Sequence, residues 1–309
     1  MTERFCQVGA GRRMCYRTDG DPSGTPVLLV AGITLDLTSW PMAMVDGLVD
    51  RGFFVVRFDN RDVGRSTPGT TPPPGLLRRA LKQPRRDGYD LADMAGDAVA
   101  VLDDLGVGRA HVVGMSMGGM IAQTMAARHP GRTASLTSIF STTGSRRVGQ
   151  PALSTLAMFA APGARNRDAA VAKHLTLMRH LAGTAYPLDE DTAAQYAGRA
   201  WDRGLREGAA AGVARQMNAI FKSGDRTAEL GRISVPTLVI HGDRDRIVHP
   251  SGGHATAAAI DGARHVTIAG MGHDLAPGVT DRVVDLIADH VGDISAEGTR
   301  SSPSADPGR

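Results

Sequence analysis

Apolar residues along this chain take two arrangements, short unbroken runs and longer stretches at helical spacing. Pro26-Val27-Leu28-Leu29-Val30-Ala31-Gly32 and Phe53-Phe54-Val55-Val56-Arg57-Phe58 are nearly unbroken runs, as expected for strands covered on both faces in a parallel sheet. Similar runs recur at 111–115, 134–140, 235–242 and 264–268. Helical spacing fits 40–50, where Pro41 stands near the start, and 91–105, where Asp90 can cap and Gly106 can stop the helix. It also fits 121–128 and a closing helix over 280–290, while residues 4–17 read as a hairpin turning at Gly9-Ala10-Gly11. Strands and helices that alternate in this way predict the α/β class, with a mostly parallel central sheet flanked by helices.

The alternation stops in three places. Residues 144–226 are Ala-rich and helical, with Met158, Phe159, Leu175, Met178, Tyr186, Tyr196, Trp201, Met217 and Phe221 as their larger apolar side chains. Inserted before the last two core strands, this segment is expected to form a helical cap, leaving 1–143 and 227–294 as the core. Residues 67–89 are irregular, open on Pro68 and Pro72-Pro73-Pro74, and carry Arg78, Arg79, Lys82, Arg85 and Arg86. They read as a flap that attracts an anionic substrate or surface, or else as a solvated insertion. Residues 295–309, rich in Ser, Pro, Gly and charge, read as a disordered tail.

Composition narrows the function classes. With 42% hydrophobic residues among 309, the chain can bury a sizeable core, and with 4% aromatics that core is mainly aliphatic. The net charge of +3 comes without basic runs interleaved with aromatics, so nucleic-acid binding is not expected. No window approaches the ~18 consecutive apolar residues of a membrane span, so stable membrane insertion is not expected either. The first fifteen residues are polar and lack the apolar core of a secretory signal, which suggests a cytoplasmic protein. Cys6 and Cys15 could face each other across the hairpin, but in a reducing compartment two free thiols are expected.

The candidate chemistry centres on His111-Val112-Val113-Gly114-Met115-Ser116-Met117-Gly118-Gly119. Gly114-x-Ser116-x-Gly118 between a β-branched strand and an Ala-rich helix is the nucleophile-elbow pattern, with a Gly-rich turn and an idle Ser as its bland alternative. A Ser hydroxyl needs a base to take its proton, and the base needs a carboxylate to orient it. His273 sits in a Gly-rich loop after the last strand. His111 and His241 at strand ends read as structural, and His129, His254 and His290 as surface helix residues. Asp245 stands three residues after the strand-ending Gly242, with Asp243 as the alternative acid.

On these residues the chain resembles the α/β-hydrolases of the serine esterase/lipase type, over about residues 4–291. The matching pieces are Ala31-Gly32-Ile33, Asp59-x-Arg61-x-x-Gly64-x-Ser66, the elbow, His241-Gly242-x-x-Asp245 and Gly270-x-Gly272-His273. Within that family it is similar to methylesterases of the aclacinomycin type and to bacterial carboxylesterases. It departs at Ala31-Gly32, where many relatives have His-Gly; a backbone N–H can still serve there. The resemblance implies a Ser116, Asp245, His273 triad in the family's chain order. It also implies an oxyanion hole from the N–H groups of Ile33 and Met117, and no metal or organic cofactor. Leu35, Trp40, Met115 and Met117 are candidates for an apolar acyl or alcohol pocket, with plain core packing as the alternative for each.

The expected activity is cleavage of a carboxylic ester, thioester or methyl ester of a fairly apolar small molecule or lipid through an acyl-enzyme. A cofactor-free perhydrolase or haloperoxidase using the same triad is the first alternative, and a non-catalytic binding protein with this fold the second. The expected partner is the small-molecule substrate, and homo-oligomerisation is left open.

Overall fold

The computed structural model describes residues 2–9, 11–159, 163–204 and 209–300; of residues 295–300 it gives the backbone only. Eight strands form one sheet: β1 Arg4–Val8, β2 Arg12–Asp19, β3 Thr25–Val30, β4 Phe53–Phe58, β5 Ala110–Met115, β6 Thr133–Ile139, β7 Thr237–Gly242 and β8 Arg264–Ile268. Their order is β1-β2-β4-β3-β5-β6-β7-β8, antiparallel at β1–β2 and β2–β4 and parallel from β4 onward. The runs without alternation are therefore strands buried on both faces. In β3, Val27 and Leu29 point to one side and Leu28 and Val30 to the other, and all four are fully buried.

Each face is closed by its own helices. On one side, α3 (Leu91–Asp104) and α4 (Met117–Arg128) pack Met94, Val101, Leu102, Ile121 and Met125 onto the sheet. On the other, α1 (Met42–Val49) and α11 (Val279–Arg300) supply Met44, Leu48, Val283 and Ile287. Asp90 caps α3 in a full capping box with Asp93. Between β6 and β7 the chain leaves the sheet and forms α5 (Leu153–Phe159), α6 (Arg167–Leu181), α7 (Glu190–Arg203), α8 (Ala209–Ser223) and the short α9 (Thr227–Leu230).

The structure departs from the sequence expectations in instructive ways. The irregular stretch 67–89 contains a short helix, α2 (Leu76–Ala80), and Ser251–Ala259 forms α10, which its two glycines and small residues conceal from any apolar period. Helix α11 continues to Arg300, past the start of the expected tail at 295, since Ala296 and Glu297 favour helix and the first proline beyond them is Pro303. Residues 301–309 lie outside the described residues. His290 is not a surface residue but is buried, with 7% exposure, because it lies on the face of α11 that packs toward the sheet. Cys6 and Cys15 are free and buried; they oppose Met14 and Phe5 across the hairpin, not each other. No helix among the described residues is long and apolar enough to cross a membrane.

Candidate active site

Because β3 and β5–β8 run parallel, the loops after them open at one edge of the sheet, which is where the candidate residues converge. Ser116 links β5 to α4 with φ 56° and ψ −122°, a strained backbone for a residue with a side chain. The turn is as tight as it is because its glycines cannot be anything else: a Cβ on Gly114 would enter the Gly118 carbonyl, and one on Gly118 the Val30 carbonyl. Ser116 N–H donates to Ile139 O at 2.9 Å, and Ser141 Oγ donates to Ser116 O at 2.8 Å, so the turn is held from β6 as well.

His273 reaches Ser116 from the loop after β8. Its Nδ1–H donates to Asp245 Oδ2 at 2.7 Å, leaving Nε2 free to accept from Ser116 Oγ at 3.0 Å. The imidazole packs against the Phe140 ring, centroids 4.4 Å apart and tilted by 48°, and the His273 backbone N–H donates to Leu181 O at the end of α6. Asp245 is buried, with both oxygens occupied: Oδ1 accepts from the Ile247 and Val248 N–H groups at 2.8 and 2.9 Å. Burial by itself would raise this carboxyl, but the His273 ring and the hydrogen bonds from His241 and His273 outweigh it and hold the pKa well below the usual carboxylate range. Asp243, the alternative acid, instead accepts the Gly270 N–H at 2.6 Å and steadies the loop that carries His273.

The loop after β3 borders the serine. A Cβ on Gly32 would meet Ser116 Cβ at 3.3 Å, so the Ile33 N–H and the first N–H of α4, that of Met117, belong to the same small region. Asn60 Nδ2 donates to Ala31 O at 2.9 Å, and Gln216 of α8 ties the loop from above, accepting the Thr34 N–H at 2.9 Å while donating to Arg61 O at 3.0 Å. Asp59, in the motif after β4, accepts the Leu37 N–H at 2.8 Å and pairs with Arg203 at the end of α7 at 3.1 Å. Arg203 also pairs with Asp36 at 2.6 Å and Glu3 at 2.8 Å, fastening α7 to the core. Asn60, Arg203 and Gln216 are site-supporting residues that sequence reasoning does not single out, and His241, read there as structural, also stands beside Asp245. Of the three missed residues, only Asn60, by its position beside Asp59, could have drawn notice.

A cavity of about 2230 Å³ opens over the serine, larger than the ~300–1,000 Å³ of ordinary small-molecule sites. Ser116, His273 and Ile33 line it, and so do all four of the expected pocket residues, Leu35, Trp40, Met115 and Met117. The inserted helices add Met158, Met178, Tyr196, Met217 and Phe221, while Leu175, Tyr186 and Trp201 are absent from its wall. The side chain of Phe159 lies outside the described residues. Asp274, next to His273, also lines the cavity, and burial raises its carboxyl above the usual range.

Comparison with known proteins fits this arrangement. A family model described as alpha/beta hydrolase fold matches residues 25–276. The chain is 32% identical over 298 residues to a rhodomycin D methylesterase of Streptomyces peucetius, covering 88% of this chain and 92% of that one. It is 29% identical over 296 residues to a non-heme haloperoxidase of Rhodococcus erythropolis, covering 92% and 98%. Among solved structures, an esterase from Rhodococcus sp. ECU1013 superimposes with a TM-score of 0.70 at 24% identity, over 96% of this chain and 99% of that one, a likeness of fold.

Proposed function

The chain belongs to the α/β-hydrolase fold family, and from that premise we propose that it is a serine hydrolase that cleaves carboxylic esters through an acyl-enzyme. The observation that carries this reading is the continuous path Ser116 Oγ to His273 Nε2, then Nδ1 to Asp245 Oδ2. In the first half-reaction Ser116 Oγ bonds to the ester carbonyl carbon as its proton passes to His273 Nε2. Asp245 stabilises the imidazolium, and the Ile33 and Met117 N–H groups receive the developing oxyanion. The C–O bond to the alcohol breaks as His273 returns the proton to the leaving oxygen. Water, deprotonated by the same histidine, then releases the acid and restores Ser116.

The substrate class is read from the cavity and the relatives together. A volume near 2230 Å³ with a methionine-rich wall suits a bulky, mostly apolar acid, and the similarity to a rhodomycin D methylesterase favours a small alcohol such as methanol as leaving group. In this reading the helices between β6 and β7 act as the cap that shapes the acid side of the pocket. The similarity to a haloperoxidase supports a second use of the same triad, with peroxide in place of water as acceptor of the acyl group.

The test is hydrolysis of a p-nitrophenyl ester series, from acetyl to long acyl, with Ser116→Ala alongside. Activity lost in the variant supports the esterase, and peroxide-dependent bromination of a dye under acyl donor supports the second use. No turnover of any ester, together with failure of a fluorophosphonate probe to label Ser116, rejects both and leaves a binding protein.

A further inference from the structure

The distribution of charge and exposed apolar surface around the cavity points to a function the serine chemistry does not require. The chain carries 32 acidic residues, yet none lies in 63–86 or in 144–167. These two stretches contain ten Lys and Arg residues: Arg65, Arg78, Arg79, Lys82, Arg85 and Arg86 in the first, and Arg146, Arg147, Arg165 and Arg167 in the second. They are neighbours in space, since Lys82 Nζ donates to Gln150 Oε1 at 3.3 Å. Both reach the wall of the cavity, through Arg79 and Lys82 on one side and Arg146, Arg147 and Leu156 on the other. All five are exposed, so they stand at its opening. Among the described residues, none of these four cations forms an ion pair, whereas Arg85 pairs with Asp87.

The same two stretches display leucines to solvent. Of the six large hydrophobic side chains that are exposed among the described residues, four lie here: Leu77 at 73%, Leu81 at 54%, Leu153 at 85% and Leu156 at 44%. Leu77 and Leu81 belong to α2 and the residue after it, Leu153 and Leu156 to α5. Single exposed apolar residues are ordinary, but leucines gathered with arginine and lysine, in segments that hold no carboxylate of their own, have the composition of surfaces that lie on anionic lipid. The exposed carboxylates on the cavity wall, Asp189, Asp225 and Asp281, come from other segments. The basic flap of the sequence reading thus acquires an apolar partner, which the sequence alone does not place beside it.

We propose that the cavity opening, formed by α2 and α5 with Arg79, Lys82, Arg146 and Arg147, docks on an anionic lipid surface. The leucines would enter the interface while the cations meet the headgroups, and an apolar substrate dissolved in the lipid could pass into the cavity without crossing water. Contact is peripheral, since no described helix can span a bilayer. The docking is independent of the proposed ester chemistry, so it is measured on Ser116→Ala.

The experiment is sedimentation with vesicles of phosphatidylcholine alone and of phosphatidylcholine mixed with phosphatidylglycerol. Ser116→Ala is expected to pellet with the mixed vesicles about tenfold more readily than with the neutral ones, and to be released by raised salt. Leu77→Ser combined with Leu153→Ser is expected to lose about tenfold of that binding. In the wild-type background the same pair leaves turnover of a soluble ester unchanged, which shows that the fold is intact. Equal pelleting with both vesicle types, no pelleting at all, or undiminished binding by the double leucine variant would overturn the proposal. So would a wild-type dimer in solution that the leucine pair dissociates, because the patch would then be a contact between copies of this chain.

Discussion

His241 Nε2 lies 3.3 Å from Asp245 Oδ2 and 2.8 Å from Val248 O. Both neighbours accept, so Nε2 carries the proton and Nδ1 is bare; Nδ1 is buried and has no partner among the described residues. Asp245 Oδ2 therefore receives two imidazoles, His273 in front and His241 behind.

This places His241 as a positioning residue for the acid. His241→Ala is expected to lower kcat/KM by about tenfold, since a hydrogen bond to a charged group is worth ~1.5–3 kcal/mol. With one donor gone, the Asp245 carboxylate holds the His273 proton more strongly, so the acid limb of the kcat/KM profile moves to higher pH. Asp274 beside His273, and His265 and His254 beyond His241, are the other titratable groups around this chain of contacts. His241→Gln, which can keep a donor there, is expected to shift the limb less. An unmoved limb in the alanine variant would reduce His241 to packing.

Asp245→Asn and Asp243→Asn separate the two candidate acids. The first is expected to cost ~10⁴-fold in kcat, through the wrong tautomer of His273. The second keeps an amide oxygen that can accept the Gly270 N–H and is expected to cost less than about tenfold. Steady-state kinetics on one soluble ester decides between them, and equal losses would reject the assignment.

Asp245 also makes stability depend on pH. Its folded pKa is depressed, so the stabilisation is present above its ordinary value of 3.8 and is lost as pH falls below that. Urea unfolding of wild type and Asp245→Asn between about pH 6 and 3 is expected to show a steeper acid loss in wild type. Parallel curves would contradict it.

Gln216→Leu leaves the Thr34 N–H and the Arg61 carbonyl without their partner. The expected cost in stability is about 1–3 kcal/mol. Because the loosened loop carries the Ile33 N–H, kcat is expected to fall more than KM rises. A variant that loses stability but keeps kcat would show that α8 supports the fold alone.

Gly118→Ala forces a methyl into the Val30 carbonyl, a backbone atom that cannot turn aside. Expected is a loss of ~1–3 kcal/mol or more, read from the thermal midpoint, together with loss of ester turnover. Gly131→Ala, with open space at its Cβ, is the matched control.

Much of this molecule is legible in local sequence. The strands are short and both-face buried, so runs such as Val27 to Val30 declare themselves; α3 is declared by its period and its Asp90 cap. The tight turn at Ser116 is written in Gly114 and Gly118, because only glycine leaves room for the crossing carbonyls. A parallel sheet then forces Ser116, Asp245 and His273, each on a loop after a strand, to the same edge. What the sequence leaves open is what depends on contacts between distant residues. Asp243 and Asp245 are two residues apart and alike in composition; the carboxylate that meets His273 differs from the other because the Gly270 N–H has claimed Asp243. Gln216 reaches Thr34 across 182 residues of chain, and His241 stands behind Asp245 only because β7 ends where it does. Hydrophobic period and turn chemistry are local quantities and fix the elements; which side chains share a hydrogen bond is settled when those elements pack.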